Sequence, residues 1–212
     1  MKSSTYIILV RHGSTPTTGK ILPGRKLGLN LSDQGVEEAK IAGQIIKDAF
    51  GKKVAAIYSS PLERALQTAN QISLQLSVLV TPNDNLLECD FGKFTGRQLK
   101  DLYKTKAWGD LHRNPSGFRF PQGESFVEME NRMKTFLEYC LRSHTGKVVV
   151  LVSHADPIKA LLNFALGMHI NNFQRLVISP ASISVLSYEN NVSQGRLLAL
   201  NLKSSLKESI SA

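Results

Sequence analysis

Three short runs of apolar residues most constrain how this chain can fold. They are YIILV at residues 6–10, VAAIYS at 54–59 and VVVLVS at 148–153. Continuous apolar runs of this length, rich in aliphatic side chains, are typical of buried parallel strands. Each run is followed by polar residues and then by a helical pattern. Because strands and helices alternate along the chain, the sequence predicts an α/β fold with a mostly parallel central sheet.

Helical periodicity follows these runs in four segments, at residues 32–50, 60–72, 125–143 and 156–167. Two of the segments open on a predicted capping box, in which a serine precedes a glutamate by three residues: Ser60 with Glu63, and Ser125 with Glu128. Asp156 is the predicted cap of the last segment, since a proline follows it directly. The third segment also places six apolar side chains on one face: Phe126, Met129, Met133, Phe136, Leu137 and Cys140.

The stretch from about residue 92 to residue 123 differs in composition from the rest of the chain. It contains seven basic residues against two acidic ones and the single tryptophan, Trp108. We interpret it as a partly helical insertion, outside the main sheet, that lies over the binding pocket and selects an anionic substrate. Near the C-terminus, SISVLSY and RLLALNL predict an antiparallel hairpin at the edge of the sheet. We expect residues 1–202 to form a single domain and residues 203–212 to form a flexible tail.

Polar residues follow all three apolar runs where each predicted strand ends. The chain reads Arg11-His12-Gly13 after the first run, Ser59-Ser60 with Arg64 after the second, and Ser153-His154-Ala155-Asp156 after the third. Because the carboxyl ends of parallel strands meet at one edge of a sheet, two arginines and two histidines converge there. A guanidinium can hold two phosphate oxygens at once, and nearby helix N-termini add positive potential. The sequence therefore predicts a site for a dianion such as phosphate, with Gly13 leaving room for it.

The charge balance also indicates an anionic partner. Lys and Arg number 26 against 17 Asp and Glu, which gives a formal net charge of +9. This excess suits nucleic acid, an acidic membrane surface or a small phosphorylated substrate. The basic residues lack the interleaved aromatic residues of a nucleic-acid stacking platform, and no apolar run reaches the length of a membrane span. We therefore expect a small phosphorylated substrate, and neither nucleic acid nor a membrane as a partner.

The cysteine and histidine spacing indicates neither a metal site nor a disulfide. Cys89 and Cys140 lie far apart in the sequence, and no histidine or carboxylate cluster has metal-ligand spacing. Since no secretion signal is recognisable, we expect a cytoplasmic protein with reduced thiols and no cofactor. A monomer and a homodimer are both compatible with the sequence.

Five motifs occur in a fixed order along the chain: LVRHGST, SSPLERALQTA, LLECDFGKFTG, PQGES and LVSHADPIKALL. In this order, over roughly residues 6–190, they resemble the histidine phosphatase superfamily. That family includes cofactor-dependent phosphoglycerate mutases and many small bacterial phosphatases. The resemblance implies a phosphoglycerate mutase-like fold, a three-layer α/β/α sandwich with an antiparallel edge, and metal-independent phosphoryl transfer.

The resemblance also assigns roles to individual residues. His12 would be the nucleophile that becomes phosphorylated. The transferring phosphoryl group would be bound by Arg11, Arg64 and His154. Spacing alone leaves both Glu88 and Asp90 open as the proton donor, and the resemblance selects Glu88. A neutral imidazole is a fair nucleophile near pH 7, and a carboxyl group beside a phosphate dianion has a raised pKa.

Four further residues are expected to bind substrate: Ser14, Thr18, Arg25 and Ala155. Three of these depart from the family pattern, because many members have Glu-Thr or Glu-Ser after RHG, asparagine at Thr18 and glycine at Ala155. The sequence therefore predicts the reaction but not the substrate. The chain is also shorter than typical phosphoglycerate mutases and has a different insertion. We expect hydrolysis of a small phosphorylated metabolite, ahead of mutase activity at the same site and of a non-catalytic anion-binding or nucleic-acid-binding protein.

Overall fold

A six-stranded sheet forms the centre of the computed structural model, which describes residues 4–189 and 195–203. Its strands are β1 (Thr5–Arg11), β2 (Val54–Ser59), β3 (Val80–Pro82), β4 (Val148–Ser153), β5 (Ile183–Tyr188) and β6 (Arg196–Leu202). They lie in the order β3-β2-β4-β1-β5-β6. The first four strands in this order are parallel, whereas β5 and β6 are each antiparallel to the strand before them. The predicted parallel sheet with an antiparallel edge is therefore confirmed.

Alternation of side chains along the strands divides the core into two layers. Ile8 and Val10 face the side covered by α1 (Asp33–Ala49) and α2 (Glu63–Leu76). Ile7 and Leu9 face the opposite side, which α5 (Phe126–Ser143) and α6 (Ala155–Ala165) cover. Because successive side chains of a strand point to opposite faces, both faces of a continuous apolar run are buried. This arrangement confirms the three-layer α/β/α sandwich.

Helix α5 begins as the sequence predicts. The Ser125 hydroxyl accepts from the Glu128 N–H at 3.2 Å, and the Glu128 carboxylate accepts from the Ser125 N–H at 2.8 Å. All six residues of the predicted apolar face are buried. Helix α1 likewise begins directly after Ser32, whose hydroxyl accepts from the Gly35 N–H at 3.1 Å.

The predicted starts of α2 and α6 are wrong. Helix α2 begins at Glu63 rather than after Ser60. The Ser60 hydroxyl is hydrogen-bonded to His154 Nε2 at 2.8 Å and also accepts from the Leu62 N–H at 3.4 Å. Helix α6 begins at Ala155 with His154 in the cap position. Asp156 lies inside its first turn and is paired with Lys159 at 3.3 Å. The partner of Ser60 is thus one that the local sequence does not reveal, whereas Asp156 is paired with a residue of its own helix.

The segment 92–123 contributes no strand to this sheet. It contains two short helices, α3 (Leu99–Leu102) and α4 (Lys106–Arg113), with 3-10 turns at Gly92–Phe94 and Pro115–Gly117. Its core is a cluster of aromatic rings in which Phe120 contacts Phe91 and Phe126, with centroids 5.0 and 5.4 Å apart. A third apolar cluster therefore attaches this segment to the first turn of α5.

β3 is a strand that the sequence analysis does not predict. It has only three residues, which is too short to show a periodic pattern, and it lies at the partly exposed edge of the sheet.

The predicted tail at 203–212 falls, apart from Lys203, outside the described residues. Within the described part of the chain, no helix is long and apolar enough to cross a membrane.

Gly13 is required by the packing of β1 against α1. A Cβ atom at this position would lie well inside van der Waals distance of the Gly35 carbonyl oxygen, and a Cβ atom at Gly35 would collide with the Ser14 carbonyl oxygen. The two backbones are therefore in direct contact where the strand end meets the first turn of α1. The expectation that Gly13 leaves room for a phosphoryl group is wrong, because the backbone of α1 fills that space.

We expect Gly13→Ala to lower the free energy of unfolding by at least about 2 kcal/mol, because backbone atoms cannot move aside for the methyl group. Gly109→Ala is the matched control, since Gly109 lies in α4 with no atom within 4 Å of an added Cβ. Alanine there should be neutral or stabilising by up to about 1 kcal/mol. Urea unfolding of both variants measures the difference, and wild-type stability of Gly13→Ala would contradict the close contact.

Candidate active site

The C-terminal ends of β1, β2 and β4 bring the predicted phosphate-binding residues together. β4 lies between β1 and β2, and Arg11 at the end of β1 is in register with Ser153 at the end of β4. The His12 N–H donates to the Ser153 carbonyl at 2.9 Å, so the pairing continues past the strand end. The imidazole rings of His12 and His154 therefore lie edge to face, with centroids 5.1 Å apart.

One hydrogen bond determines the tautomer of His12. Its Nδ1 lies 2.8 Å from the Gly13 carbonyl oxygen, and because a carbonyl oxygen only accepts, Nδ1 carries the proton. Nε2 then holds the free lone pair, and it has no hydrogen-bond partner among the described residues. Burial, together with the charges of Arg11 and Arg64, lowers the pKa of His12 well below its usual value. The ring is therefore neutral near pH 7, with a nucleophilic nitrogen available.

Two arginines beside His12, of which Arg64 is buried and Arg11 half-buried, have nitrogen atoms without hydrogen-bond partners. Arg64 is fully buried and donates through Nη2 to the Gly24 carbonyl at 2.7 Å, while Arg11 donates through Nη1 to the Ile178 carbonyl at 2.6 Å. Arg64 Nε, Arg64 Nη1 and Arg11 Nε have no partner within the described part of the chain. Burial lowers the pKa of both guanidinium groups. Since buried donors without partners are rare in folded proteins, these three atoms indicate a place for an anion.

His154 adds a fourth unpartnered nitrogen to this group. The residue is fully buried, and its Nε2 is hydrogen-bonded to the Ser60 hydroxyl at 2.8 Å. Its Nδ1 has no partner in residues 4–189 and 195–203. Burial and the charge of Arg64 lower the pKa of His154 well below its usual value, so this ring is also neutral. Ser60 therefore orients the second histidine instead of capping α2.

Glu88 is a carboxyl group that titrates near neutral pH. Its side chain is 7% exposed, and its Oε1 accepts from the Cys89 N–H at 2.9 Å. Burial raises the pKa of Glu88 to about 7, with a further rise caused by Asp156 and an opposing effect of Arg64 and Arg11. The group is therefore close to half protonated at neutral pH and is suited to both donating and accepting a proton.

Two arginines hold the backbone of Glu88 in place. Arg25 Nε and Arg132 Nη2 donate to the Glu88 carbonyl at 2.9 and 3.2 Å. Both guanidinium groups also pair with the Glu124 carboxylate, at 3.1 and 2.8 Å. Arg25, expected to bind substrate, thus supports Glu88. The sequence analysis missed Arg132 and Glu124, because nothing in their local pattern indicates a partner more than 30 residues away.

A cavity of about 210 Å³ adjoins these groups. Its wall is formed by Arg11, His12, Thr15, Thr17, Thr18, Gly19, Ile21, Leu22, Pro23, Glu88, Phe91, Leu99, Ala155 and Asp156. Arg64 and His154 are fully buried behind this wall. Of the two carboxyl groups that spacing left open as the proton donor, Glu88 lines the cavity and Asp90 does not; Asp90 accepts from the Gly92 N–H at 3.0 Å instead.

The expected substrate-binding residues after His12 differ in where their side chains lie. The Ser14 N–H and hydroxyl donate to the Glu38 carboxylate at 2.8 and 3.1 Å, and Ser14 does not line the cavity. Thr18 does line it, and its hydroxyl accepts from the Thr15 N–H at 2.9 Å. Ala155 lines it from the first turn of α6.

The basic insertion contributes little to the cavity. Leu99 is its one residue in the described wall, and none of its basic side chains belongs to that wall. The expectation that the positive charge of residues 92–123 selects the substrate therefore finds no support in the cavity lining.

Comparison with known proteins identifies the family. The family model of the histidine phosphatase superfamily (branch 1) matches residues 7–202. The chain belongs to this superfamily. Phosphoserine phosphatase 1 of Hydrogenobacter thermophilus is 32% identical over 208 residues, which cover 95% of this chain and 94% of that protein. The probable phosphoglycerate mutase GpmB of Proteus mirabilis is 33% identical over 87% of this chain and 86% of its own length.

Solved structures agree with this assignment. A phosphoserine phosphatase variant from Entamoeba histolytica, crystallised with phosphoserine, is 25% identical and superimposes with a TM-score of 0.83 over 94% of this chain and 98% of its own. The resemblance drawn from the sequence motifs is thereby confirmed, as is the phosphoglycerate mutase-like fold. The chain is an enzyme of the histidine phosphatase type.

Asp156 and Thr68 belong to this histidine phosphatase site but were not predicted there. Asp156 was interpreted as a helix cap because a proline follows it, although it stands only two residues after His154, the residue that follows β4, and it lines the cavity. Thr68 links two parts of the site: the Gly13 N–H donates to its hydroxyl at 3.0 Å, and that hydroxyl donates to the Arg64 carbonyl at 2.8 Å. No local pattern marks Thr68, since its partner lies 55 residues away.

We expect Glu88→Gln to stabilise the folded protein at high pH and not at low pH. Folding raises the pKa of Glu88 from 4.5 to about 7, so ionising this carboxyl group costs folding free energy. The cost is absent below about pH 4 and complete above about pH 7, where it amounts to about 3 kcal/mol. Glutamine removes the ionisation and keeps an oxygen for the Cys89 N–H.

Thermal unfolding of wild type and Glu88→Gln at pH 4.5 and pH 8 measures this difference. Glu37→Gln is the control, because the Glu37 side chain is 65% exposed and lies outside the cavity. An equal shift of Tm at both pH values would contradict a raised pKa at Glu88.

Proposed function

We propose that this histidine phosphatase hydrolyses small phosphate monoesters without a metal ion, through a phosphohistidine intermediate on His12. The observation that carries the proposal is the neutral His12 ring, with Nε2 free, beside four buried nitrogen atoms that lack partners in the described residues. A phosphate ester has three non-bridging oxygens that can accept hydrogen bonds from these nitrogens. The same group of residues would thus bind the phosphoryl group and supply its acceptor.

In the first step, His12 Nε2 attacks phosphorus in line with the ester oxygen. The N–P bond forms as the P–O bond to the alcohol breaks, and Arg11 and Arg64 neutralise charge on the equatorial oxygens. The Glu88 carboxyl group gives its proton to the leaving oxygen, so that a neutral alcohol departs. The hydrogen bond from Nδ1 to the Gly13 carbonyl stabilises the positive charge that develops on the ring.

In the second step, water takes the place of the alcohol. The Glu88 carboxylate removes a proton from the water molecule. At the same time the water oxygen bonds to phosphorus and the N–P bond breaks. Inorganic phosphate leaves, His12 is neutral again and Glu88 carries its proton again, so the protons balance over the cycle. A pKa of about 7 suits this double role at neutral pH.

The residues present supply the positive charge that a metal ion supplies in other phosphatases. Two guanidinium groups face the phosphate position, and within the described residues no three His, Cys, Asp or Glu side chains are grouped so as to hold a metal. The cavity of about 210 Å³ suits a small leaving group. Because a relative at 32% identity is named phosphoserine phosphatase 1, phosphoserine is the first metabolite to test.

We also propose that the protein works in the cytoplasm. Cys89 and Cys140 are both buried free thiols, and burial raises the pKa of each, that of Cys140 to about 12. Neutral thiols enclosed in the core persist in a reducing compartment.

Phosphoglycerate mutase activity is the second candidate, favoured by the relative named GpmB at 33% identity. A mutase must hold a bisphosphate and a substrate carboxylate. Arg11 is the basic residue that the described cavity wall offers, which supports hydrolysis over transfer to a second phosphorylated compound. Isomerisation that depends on added bisphosphoglycerate would identify a mutase.

We expect His12→Ala to reduce turnover of p-nitrophenyl phosphate at least about a thousandfold, since the acceptor of the phosphoryl group is lost. Rapid-quench labelling with a ³²P-labelled ester should give an acid-labile label on His12 in the wild type and none in the variant. His112→Ala is the control, because His112 is exposed and does not line the cavity. Wild-type turnover by His12→Ala would reject the proposal.

We expect Glu88→Gln to separate the two steps. With an alkyl phosphate, turnover should fall by about 10²–10⁴-fold, because the leaving alkoxide receives no proton. With p-nitrophenyl phosphate, whose leaving group needs no proton, one equivalent of nitrophenolate should appear in a burst and phosphohistidine should accumulate.

Stopped-flow absorbance and labelling of His12 measure both outcomes of this substitution. Asp90→Asn is the matched control at the other acidic position, since Asp90 does not line the cavity. Unchanged alkyl phosphate turnover in Glu88→Gln, or its loss in Asp90→Asn, would overturn the choice of Glu88.

A further inference from the structure

The cavity wall has an unusual charge distribution for a site that takes an anion. Of the described residues that form it, Arg11 alone carries a positive charge, and Glu88 and Asp156 are its two carboxyl groups. Three threonines and five apolar residues make up most of the rest: Thr15, Thr17, Thr18, Ile21, Leu22, Pro23, Phe91 and Leu99. Arg11 is already assigned to the phosphoryl group. The space left for the alcohol part of the ester therefore has hydroxyl groups and negative charge but no cation of its own.

Asp156 presents an incompletely paired carboxylate to this space. Its side chain is 17% exposed, and one oxygen, Oδ1, accepts from Lys159 Nζ at 3.3 Å. The other oxygen, Oδ2, has no hydrogen-bond partner in the part of the chain that the structure describes. Lys159 does not belong to the cavity wall, and its Nζ also donates to Gln174 at 3.0 Å. The ion pair therefore satisfies one side of the carboxylate and leaves Oδ2 free for a ligand.

The negative charge of Asp156 is felt within the site. It is the main charge that raises the pKa of Glu88, and it acts on Arg11 as well. Water screens this charge little, because both Glu88 and Asp156 are mostly buried. A negative group on the substrate would experience the same repulsion as Glu88 does.

We propose that Asp156 selects the alcohol part of the ester: it accepts a hydrogen bond from an ammonium or hydroxyl group there and disfavours a carboxylate. This inference rests on the proposed phosphatase function and narrows its substrate class. An ammonium group would complete the pairing of Oδ2, and hydroxyl groups would also find partners in the three threonines. A carboxylate would be buried beside a like charge that the ion pair with Lys159 offsets only in part, which is costly in a partly desolvated site.

A purely structural role for Asp156 makes a different prediction. An acidic residue in the first turn of a helix, paired with a lysine three residues later, stabilises that helix. If this were its whole role, replacing it would change the hydrolysis of all esters by the same factor. Selection by charge changes the rate of hydrolysis of one ester relative to another, so this ratio of rates distinguishes the two roles.

The test uses three phosphate esters of nearly equal size that differ in the charge of the alcohol part. They are phosphoethanolamine with an ammonium group, 2-hydroxyethyl phosphate with a hydroxyl group, and phosphoglycolate with a carboxylate. We expect kcat/KM of the wild type to fall in that order. In Asp156→Asn, kcat/KM for phosphoethanolamine divided by kcat/KM for 2-hydroxyethyl phosphate should drop about tenfold. The same quotient for phosphoglycolate should rise about tenfold. Both changes are expected for loss of one charge interaction at close range.

Asp33→Asn is the matched control, because Asp33 is an exposed acid in the first turn of α1, outside the cavity. Its ratios should equal those of the wild type. Unchanged ratios in Asp156→Asn, or a uniform loss for all three esters, would overturn the inference.

Binding measurements keep this test separate from the test of the proposed function. Calorimetric titration of His12→Ala with the same three esters, with and without Asp156→Asn, reports charge selection even where turnover is absent. A wild type inactive toward all three esters and toward p-nitrophenyl phosphate would overturn the proposed function. In that case the inference would still be supported if Asp156→Asn shifts the ratios of dissociation constants between the three esters as stated for kcat/KM. It would be overturned if those ratios do not shift.

Discussion

Two guanidinium groups at the C-terminal edge of the sheet, that of the buried Arg64 and that of the half-buried Arg11, determine the properties of this site. Arg64 is fully buried, yet two of its nitrogens find no partner among the described residues. Burying a charge without complete hydrogen bonding costs free energy, and the packed layers on both faces of the sheet offset that cost. An anion of the right shape removes the deficit. In the proposed function, affinity for a phosphoryl group follows from how the fold buries Arg64 and half-buries Arg11, because bound phosphate supplies the missing acceptors and stabilises the native state.

The same positive charge controls the protonation of the groups around it. Burial is the main cause that lowers the pKa of His12 and His154, and the positive charge lowers it further, so both rings are neutral. The same charge opposes the rise in the pKa of Glu88 caused by burial. A bound phosphate dianion offsets that charge, which allows the pKa of Glu88 to rise further. In the proposed mechanism the proton is thus on Glu88 when the ester is bound, and substrate binding prepares the acid that its own cleavage requires.

The sequence predicted the parts of this structure that depend on local pattern. The apolar runs gave three parallel strands, and the residues at their ends met at one edge because parallel strands share a direction. Ser60 and Asp156 were misinterpreted as helix caps, since both sequences fit the capping rules. Asp156 lies inside the first turn of α6 and pairs with Lys159 three residues later. Ser60 is hydrogen-bonded to His154, which is distant in the chain. Gly13 was misinterpreted for the same reason, because its neighbour in space is Gly35. The supports of Glu88 at Arg132 and Glu124 depend on contacts that no local pattern encodes.

The two ends of the cavity come from different parts of the fold. The phosphate end is built from the ends of β1 and β4 and the first turn of α2, which the sheet holds in fixed register. The end that receives the alcohol is built from residues 15–23, from Phe91 and Leu99, and from the first turn of α6. Substitutions there leave the register of the strands intact, because those residues, Asp156 included, contribute no backbone hydrogen bond to the sheet. The two ends therefore have separate backbone supports, although the charge of Asp156 still acts on Glu88 and Arg11. The chain can therefore keep the RHG motif and still depart from the family pattern at Thr18 and Ala155, which line the other end of the cavity.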